Sequence, residues 1–153
     1  MKEIKLNKSI DISYYDLIII PCNYMMEPID KYNKLLIDSI GRKQIEKYIE
    51  YKYRLKKDNN SINDGEIRII PGITIRSDIM FIRFPYRVDD DSKAMFMNIY
   101  SNMINIIKLN NYNNVLFPRI DPSIYGYYSM EDIRIRLHTI GERKEYYKKL
   151  TKN

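Results

Sequence analysis

The chain has 153 residues and a mass of 18.5 kDa, with 44% hydrophobic and 30% charged residues, which fits one globular domain over residues 1–153 and argues against tandem domains. The longest apolar run, Leu17 to Cys22, falls far short of the ~20 residues of a membrane span, and the amino terminus lacks a signal-peptide core, so a soluble, cytoplasmic, unprocessed protein is expected. One cysteine, Cys22, and one histidine, His138, exclude an internal disulfide, most metal sites and Ser-His or Cys-His catalysis, and no cofactor is expected.

Isoleucine, lysine, asparagine and tyrosine supply close to half of the residues, and alanine occurs once. All four have AT-rich codons, so the composition reflects a genome, that of a virus, a phage or a low-GC bacterium, more than it reflects a fold. The net charge of +6 is uneven: residues 31–60 carry nine basic and four acidic side chains, and residues 131–153 seven and four. Lys43, Lys47, Lys52, Arg54, Lys56 and Lys57 interleave with Tyr48, Tyr51 and Tyr53. That pattern suits either a weak nucleic-acid stripe or an ordinary solvated helix face.

In chain order, Leu17–Ile20 is a short β-branched run of the kind buried on both faces of a parallel sheet. Apolar positions Leu36, Ile40, Ile45, Ile49 and Tyr53, with Gly41 between the halves, predict two short helices or one broken helix over residues 31–57. Residues 58–64 are polar and read as a loop. Strands follow at 67–70 and 79–83, each closed by a proline. An acidic turn, Asp89 to Asp91, then leads into an amphipathic helix over 96–107, and a buried strand is expected at 114–117. Alternation of Ile133, Ile135 and Leu137 with Arg134, Arg136 and His138 predicts a half-exposed strand at 133–137, and 142–150 reads as a charged final helix. The order implies an α/β class: a three-layer α/β/α domain with a mixed central sheet.

In such sheets ligands lie beyond the carboxyl ends of strands, which singles out two loops. The first, Pro21 to Asp30, carries Asn23, whose amide can donate to and accept from a ligand hydroxyl or can simply form a turn. The second runs from Arg119 to Tyr128, where a Ser/Gly stretch can turn backbone N–H groups toward an anion and the tyrosines can stack on a ring or pack as a loop.

These segments resemble a macro domain, the ADP-ribose-binding fold, over about residues 9–140. Ile10-Asp11-Ile12-Ser13 and Asp16-Leu-Ile-Ile-Ile-Pro-Cys-Asn23 stand where the family has Gly-Asp-Ile-Thr and a strand ending in Asn-Ala-Ala-Asn. Gly65-Glu-Ile-Arg-Ile-Ile-Pro-Gly72 parallels Gly-Glu-Ala-Val-Ile-Thr-Pro-Gly. Phe117-Pro-Arg-Ile-Asp-Pro-Ser-Ile-Tyr-Gly-Tyr-Tyr128 parallels the second loop, with Ile-Tyr-Gly-Tyr its most specific element. The family's glycine run is replaced by Glu27-Pro28-Ile29-Asp30-Lys31, although the spacing from Asn23 to Gly41 is kept. Ile20 replaces the first Asn, Pro122-Ser123 replaces Thr-Gly, and the carboxyl-terminal part is shortened between Tyr128 and Ile133.

The resemblance implies a binder of ADP-ribose or a related nucleotide. Asp11 would accept from the adenine amino group, Asn23 would meet the distal ribose, the backbone of Ser123, Ile124, Tyr125 and Gly126 would cradle the diphosphate, and Tyr127 would lie against the ribose. No catalytic residue is assigned. Mono-ADP-ribosyl hydrolysis is expected to be slow or absent because the positioning glycines are gone, although Asp30, Lys31 or Asn33 could supply a replacement group. The alternatives are a weak hydrolase, and a ligand-free scaffold that binds protein or nucleic acid through its basic helices.

Overall fold

The computed structural model of the chain describes residues 12–85 and 90–116. After a single 3-10 turn, Ile12–Tyr14, the elements are β1 (Leu17–Pro21), α1 (Lys31–Ile40), α2 (Arg42–Tyr53), α3 (Leu55–Asp58), β2 (Ile67–Ile70), β3 (Asp78–Ile82), α4 (Asp90–Leu109) and β4 (Val115–Leu116). The sheet order is β2-β3-β1-β4, with β1 parallel to β3 and β4, and β2 antiparallel to β3. This is the expected mixed sheet, and the strands expected at 17–20 and 114–117 are neighbours, in register Leu17 with Val115 and Ile18 with Leu116. The strand expected at 133–137, the final helix and the carboxyl-terminal shortening lie outside the described residues.

Every residue of β1 is buried. Period-two alternation sends Leu17 and Ile19 to one face and Ile18 and Ile20 to the other, so two helical layers are needed to cover them. On the first face α4 presents Ile99, Tyr100, Met103, Ile104 and Ile107, an i, i+1, i+4, i+5, i+8 pattern that forms one stripe. On the second, α1 and α2 present Leu36, Ile37, Ile40, Ile45 and Ile49. Each fully buried side chain of this kind contributes about 1.5–3 kcal/mol, which is what makes the layers adhere.

The helix boundaries have local causes. Gly41 ends α1 at φ +135°, a conformation that disfavours side chains, and its N–H returns to Ile37 O at 3.0 Å. Residues 31–57 break a second time, at Arg54, where the sequence has no breaker. There the Glu50 carboxylate accepts from Lys56 N at 3.1 Å and Leu55 turns into the core, leaving Arg54 left-handed at φ 53°. Of the acidic turn expected at Asp89 to Asp91, Asp90 and Asp91 instead lie within α4, and Asp89 is outside the described residues.

Polar groups fasten the amino edge of the sheet. The Asp16 carboxylate accepts from Asn113 N (2.8 Å) and Asn114 N (3.0 Å). The Tyr112 hydroxyl donates to Asp78 Oδ2 at 2.6 Å, and burial, aided by Asp78, pushes that phenol above its ordinary range. Asp78 Oδ1 accepts from Gly72 N.

At Gly72 the β2–β3 loop folds back on itself so closely that a Cβ would meet Ile75 O at 2.4 Å and Arg76 O at 2.9 Å. Gly72→Ala must therefore shift backbone, and a destabilisation of about 2 kcal/mol is expected, a fall in Tm of about 4–8 °C by calorimetry. A Tm within 1 °C of the parent would show that the loop yields freely.

Glu66 and Arg68 provide a second test. Arg68 Nε donates to Glu66 Oε2, and Asn63 donates its backbone N–H and its side-chain amide to Oε1. Partial burial raises the Glu66 pKa, but the Asn63 N–H and the Arg68 guanidinium outweigh it and hold the carboxyl below its usual value. A depressed folded pKa gives stability that is fully present above the unfolded value of about 4.3 and is lost as pH falls through the folded one. Urea unfolding should therefore find Glu66→Gln less stable at pH 7 and less sensitive than the parent to acidification below about pH 4. Parallel pH profiles would contradict this.

Candidate functional site

Adjacent strands β1 and β3 are followed by helices on opposite faces, β1 by α1 and β3 by α4, the topology at which a ligand crevice is expected above the carboxyl ends of the two strands. The loop from Cys22 to Asp30 lies over that edge. Met26 packs into the α1/α2 side, Ile29 against the α4 side, and Pro28 is buried between them. Side chains thus fill the stretch in which the macro-domain resemblance expects glycines, and Ile20, in place of the first Asn of that motif, is a core residue.

Asn23 organises this loop. Its Oδ1 accepts from Met25 N (2.9 Å) and Glu27 N (3.0 Å), and its Nδ2 donates to Glu27 Oε1 (3.1 Å). Asn23 N donates to Glu27 O, and Met26 N to Asn23 O. The turn-forming role considered for Asn23 is the one its hydrogen bonds display. Four loop amides, those of Asn23, Met25, Met26 and Glu27, are engaged within the loop, and Pro28 has none to offer. Cys22 is sealed beneath, and burial pushes its thiol far above the ordinary range despite Arg83 and Arg68 nearby, so it is no nucleophile.

Of the three residues suggested as replacements on this loop, two are bound into the structure. Asp30 is only 6% exposed and caps α1: its Oδ1 accepts from Asn33 N at 2.8 Å, and Asn33 Nδ2 lies 2.9 Å from both carboxylate oxygens. Lys31 is exposed. Asn33 is fully buried, and among the described residues its Oδ1 has no hydrogen-bond partner. Flipping the amide would set Oδ1 against the Asp30 carboxylate, so Asp30 fixes an acceptor that points away from itself. The local signal for this pair is Asp followed three residues later by Asn at a helix start, a capping pattern.

Asp11, Ser123, Ile124, Tyr125, Gly126 and Tyr127 lie outside the described residues, so Asn23 alone of the expected ligand contacts is placed. Among the described residues no group of three His, Cys, Asp or Glu side chains could hold a metal ion.

A hollow of about 260 Å³ lies between the loop residues Met25 to Pro28 and helix α2, with Ile37 and Phe81 also lining it. It is below the size usual for ligand sites, and its charged lining is mixed, Glu27, Glu46 and Glu50 beside Arg42 and Lys56.

No protein-family model and no curated protein sequence matches the chain. Solved structures do. A mutant macrodomain of Oceanobacillus iheyensis with ADPR superposes with a TM-score of 0.66 at 21% identity, covering 94% of this chain and 76% of that one. The Trypanosoma brucei macrodomain in complex with ADP-ribose gives 0.59 at 15% identity, covering 84% and 54%. The macro domain of ganglioside induced differentiation associated protein 2 gives 0.59 at 15%, covering 84% and 66%. The chain has the macrodomain fold, as the resemblance implied.

Removing the cap is the sharpest test of the loop. Asp30→Ala should cost about 2–4 kcal/mol, the cap itself plus the buried Asn33 donors left without an acceptor, read as a lower urea midpoint at unchanged m-value. Lys31→Ala should change stability by less than about 0.5 kcal/mol. Equal effects of the two would remove Asp30 from this role.

Proposed function

We propose that the chain binds ADP-ribose or a closely related nucleotide in the crevice above the carboxyl end of β1. The observation that carries this reading is the likeness of fold to macrodomains, several of them solved with ADPR, ADP-ribose or ADP, at a sheet edge where chain topology alone would place a ligand. The buried acceptor of Asn33 supports it: a ligand hydroxyl donating to Oδ1 would satisfy a group that is costly to leave unpaired. The remaining contacts proposed are Asp11 with the adenine amino group, the Ser123 to Gly126 backbone with the diphosphate and Tyr127 with a ribose. Asn23 acts mainly by shaping the loop.

Binding is weaker than in a glycine-rich loop, because the amides of Asn23, Met25, Met26 and Glu27 are already engaged and anion binding depends on free N–H groups. Hydrolysis is slow or absent. Asp30 is committed to Asn33, and a reacting water misplaced by about 1 Å can lose on the order of a hundredfold in rate.

Thermal unfolding with ADP-ribose, ADP and NAD tests the reading. At a hundredfold excess over Kd, binding to the native state alone adds about 2.7 kcal/mol, a rise in Tm of about 5–10 °C. Asn33→Leu should reduce the rise at a fixed ADP-ribose concentration. An unchanged Tm with all three nucleotides at millimolar concentration would remove the proposal.

A further inference from the structure

We propose that the solvent face of α2 and α3 is a second, separate binding surface, one for single-stranded nucleic acid. Helices α1–α3, residues 31–58, carry nine basic and four acidic side chains. All four carboxylates are committed: Asp38 and Glu46 to Arg42, Asp58 to Arg54, and Glu50 to the backbone N–H of Lys56. The arginines therefore take the acids and the lysines are left over. Lys43, Lys47, Lys52, Lys56 and Lys57 are exposed, and none makes an ion pair with another described residue.

Position supplies the rest. Lys43, Lys47 and Tyr51 are spaced four apart and form one row along α2, and Tyr51 is 83% exposed. An aromatic ring standing in water within a row of lysines is a stacking platform for an unpaired base, with the lysines left to follow the phosphates. A duplex hides its base faces and would make no use of the ring. A membrane surface fits poorly, because the apolar side of α2, Ile45 and Ile49, is buried in the core and cannot enter a bilayer. An acidic protein would match the charge but would meet a face rich in lysine, a residue depleted in protein interfaces.

The surface is tested on the full chain by fluorescence anisotropy with labelled 20-nucleotide single strands of mixed sequence, in RNA and DNA. Contacts to four phosphates predict that affinity falls roughly fiftyfold between 50 and 200 mM salt. Replacing Lys43 and Lys47 together by Ser should lower the slope of log K against log salt by about 1.4. Tyr51→Ala should weaken binding about five- to hundredfold and should narrow the preference over duplex. All three sites are exposed, so unfolding midpoints should not move, and the Tm rise with ADP-ribose should survive in these variants. Saturating ADP-ribose should not displace the strand. No binding at 50 mM salt, equal binding of duplex, polyglutamate or anionic vesicles, an unaltered salt slope in the lysine variant, or displacement by ADP-ribose would each overturn the proposal. Asn33→Leu should leave strand binding intact, so failure of the crevice reading and failure of this one are separable.

Discussion

Burial of one five-residue strand on both faces and along both edges dictates the architecture. Leu17–Pro21 offers apolar side chains upward and downward, so a single helical layer would leave half of them in water. Its hydrogen-bonding edges are likewise both occupied, by β3 and β4. A strand placed in this way must be central, its neighbours must run parallel through crossover helices, and those helices must divide between two faces. The expected place for a ligand crevice is a by-product of that division, since β1 and β3 are followed by helices in opposite layers.

What fixes the loop over the crevice is a buried guanidinium. Arg68 sits in β2 on the α1/α2 side and is almost wholly removed from water, which is unfavourable unless every N–H finds a partner. Its partners come from four separate segments: the Glu66 carboxylate, the carbonyls of Asn60 and Ser61 at 3.2 Å, the Met26 sulfur at 3.5 Å, and the face of Tyr53, whose ring centre lies 4.5 Å from the guanidinium carbon. The edge strand, the polar loop after α3, the end of α2 and the site loop are thus tied to one charge. Ile62 N, donating to Tyr24 O, adds a second tie between the same loops. Arginine suits the place because its planar fork can serve a carboxylate and two carbonyls at once while its face stacks on an aromatic ring; lysine could not.

The parts of the fold set by periodicity were legible in the sequence. β1, β2, β3 and the apolar stripe of α4 follow from runs of two and of three to four, and Gly41 marks a helix end that only glycine adopts easily. Features that depend on a partner far away in sequence were not legible. Arg68 alternates with isoleucines as a solvent-facing residue would, and only Tyr53, Met26 and the 60–61 carbonyls make its position an interior one. The break at Arg54 has no glycine or proline to announce it. In the site, Asn23 was correctly placed beyond a buried strand, but its two roles could not be separated, because both need the same amide and differ only in whether the chain curls back to use it. The Asp30–Asn33 pair is a local capping pattern and legible in the sequence, whereas the burial that turns it into a fixed pair depends on the core around it.

The two ends of the sheet have been given different work. At the amino edge, Asp16, Asp78 and Tyr112 bind strand starts to the loop before β4 and to Gly72, leaving groups whose capacity is taken up by the fold itself. At the carboxyl edge the fold also consumes most of what the first loop could offer: its amides close on Asn23, its proline and methionine fill space, and its aspartate is locked onto the helix it caps. A loop satisfied from within gains order and loses the free N–H donors through which a glycine-rich loop would receive an anion. In the described part of this edge the buried Asn33 oxygen accepts from no described residue, and an acceptor in that place can be met only by a donor such as a hydroxyl or an amine, not by a phosphate oxygen.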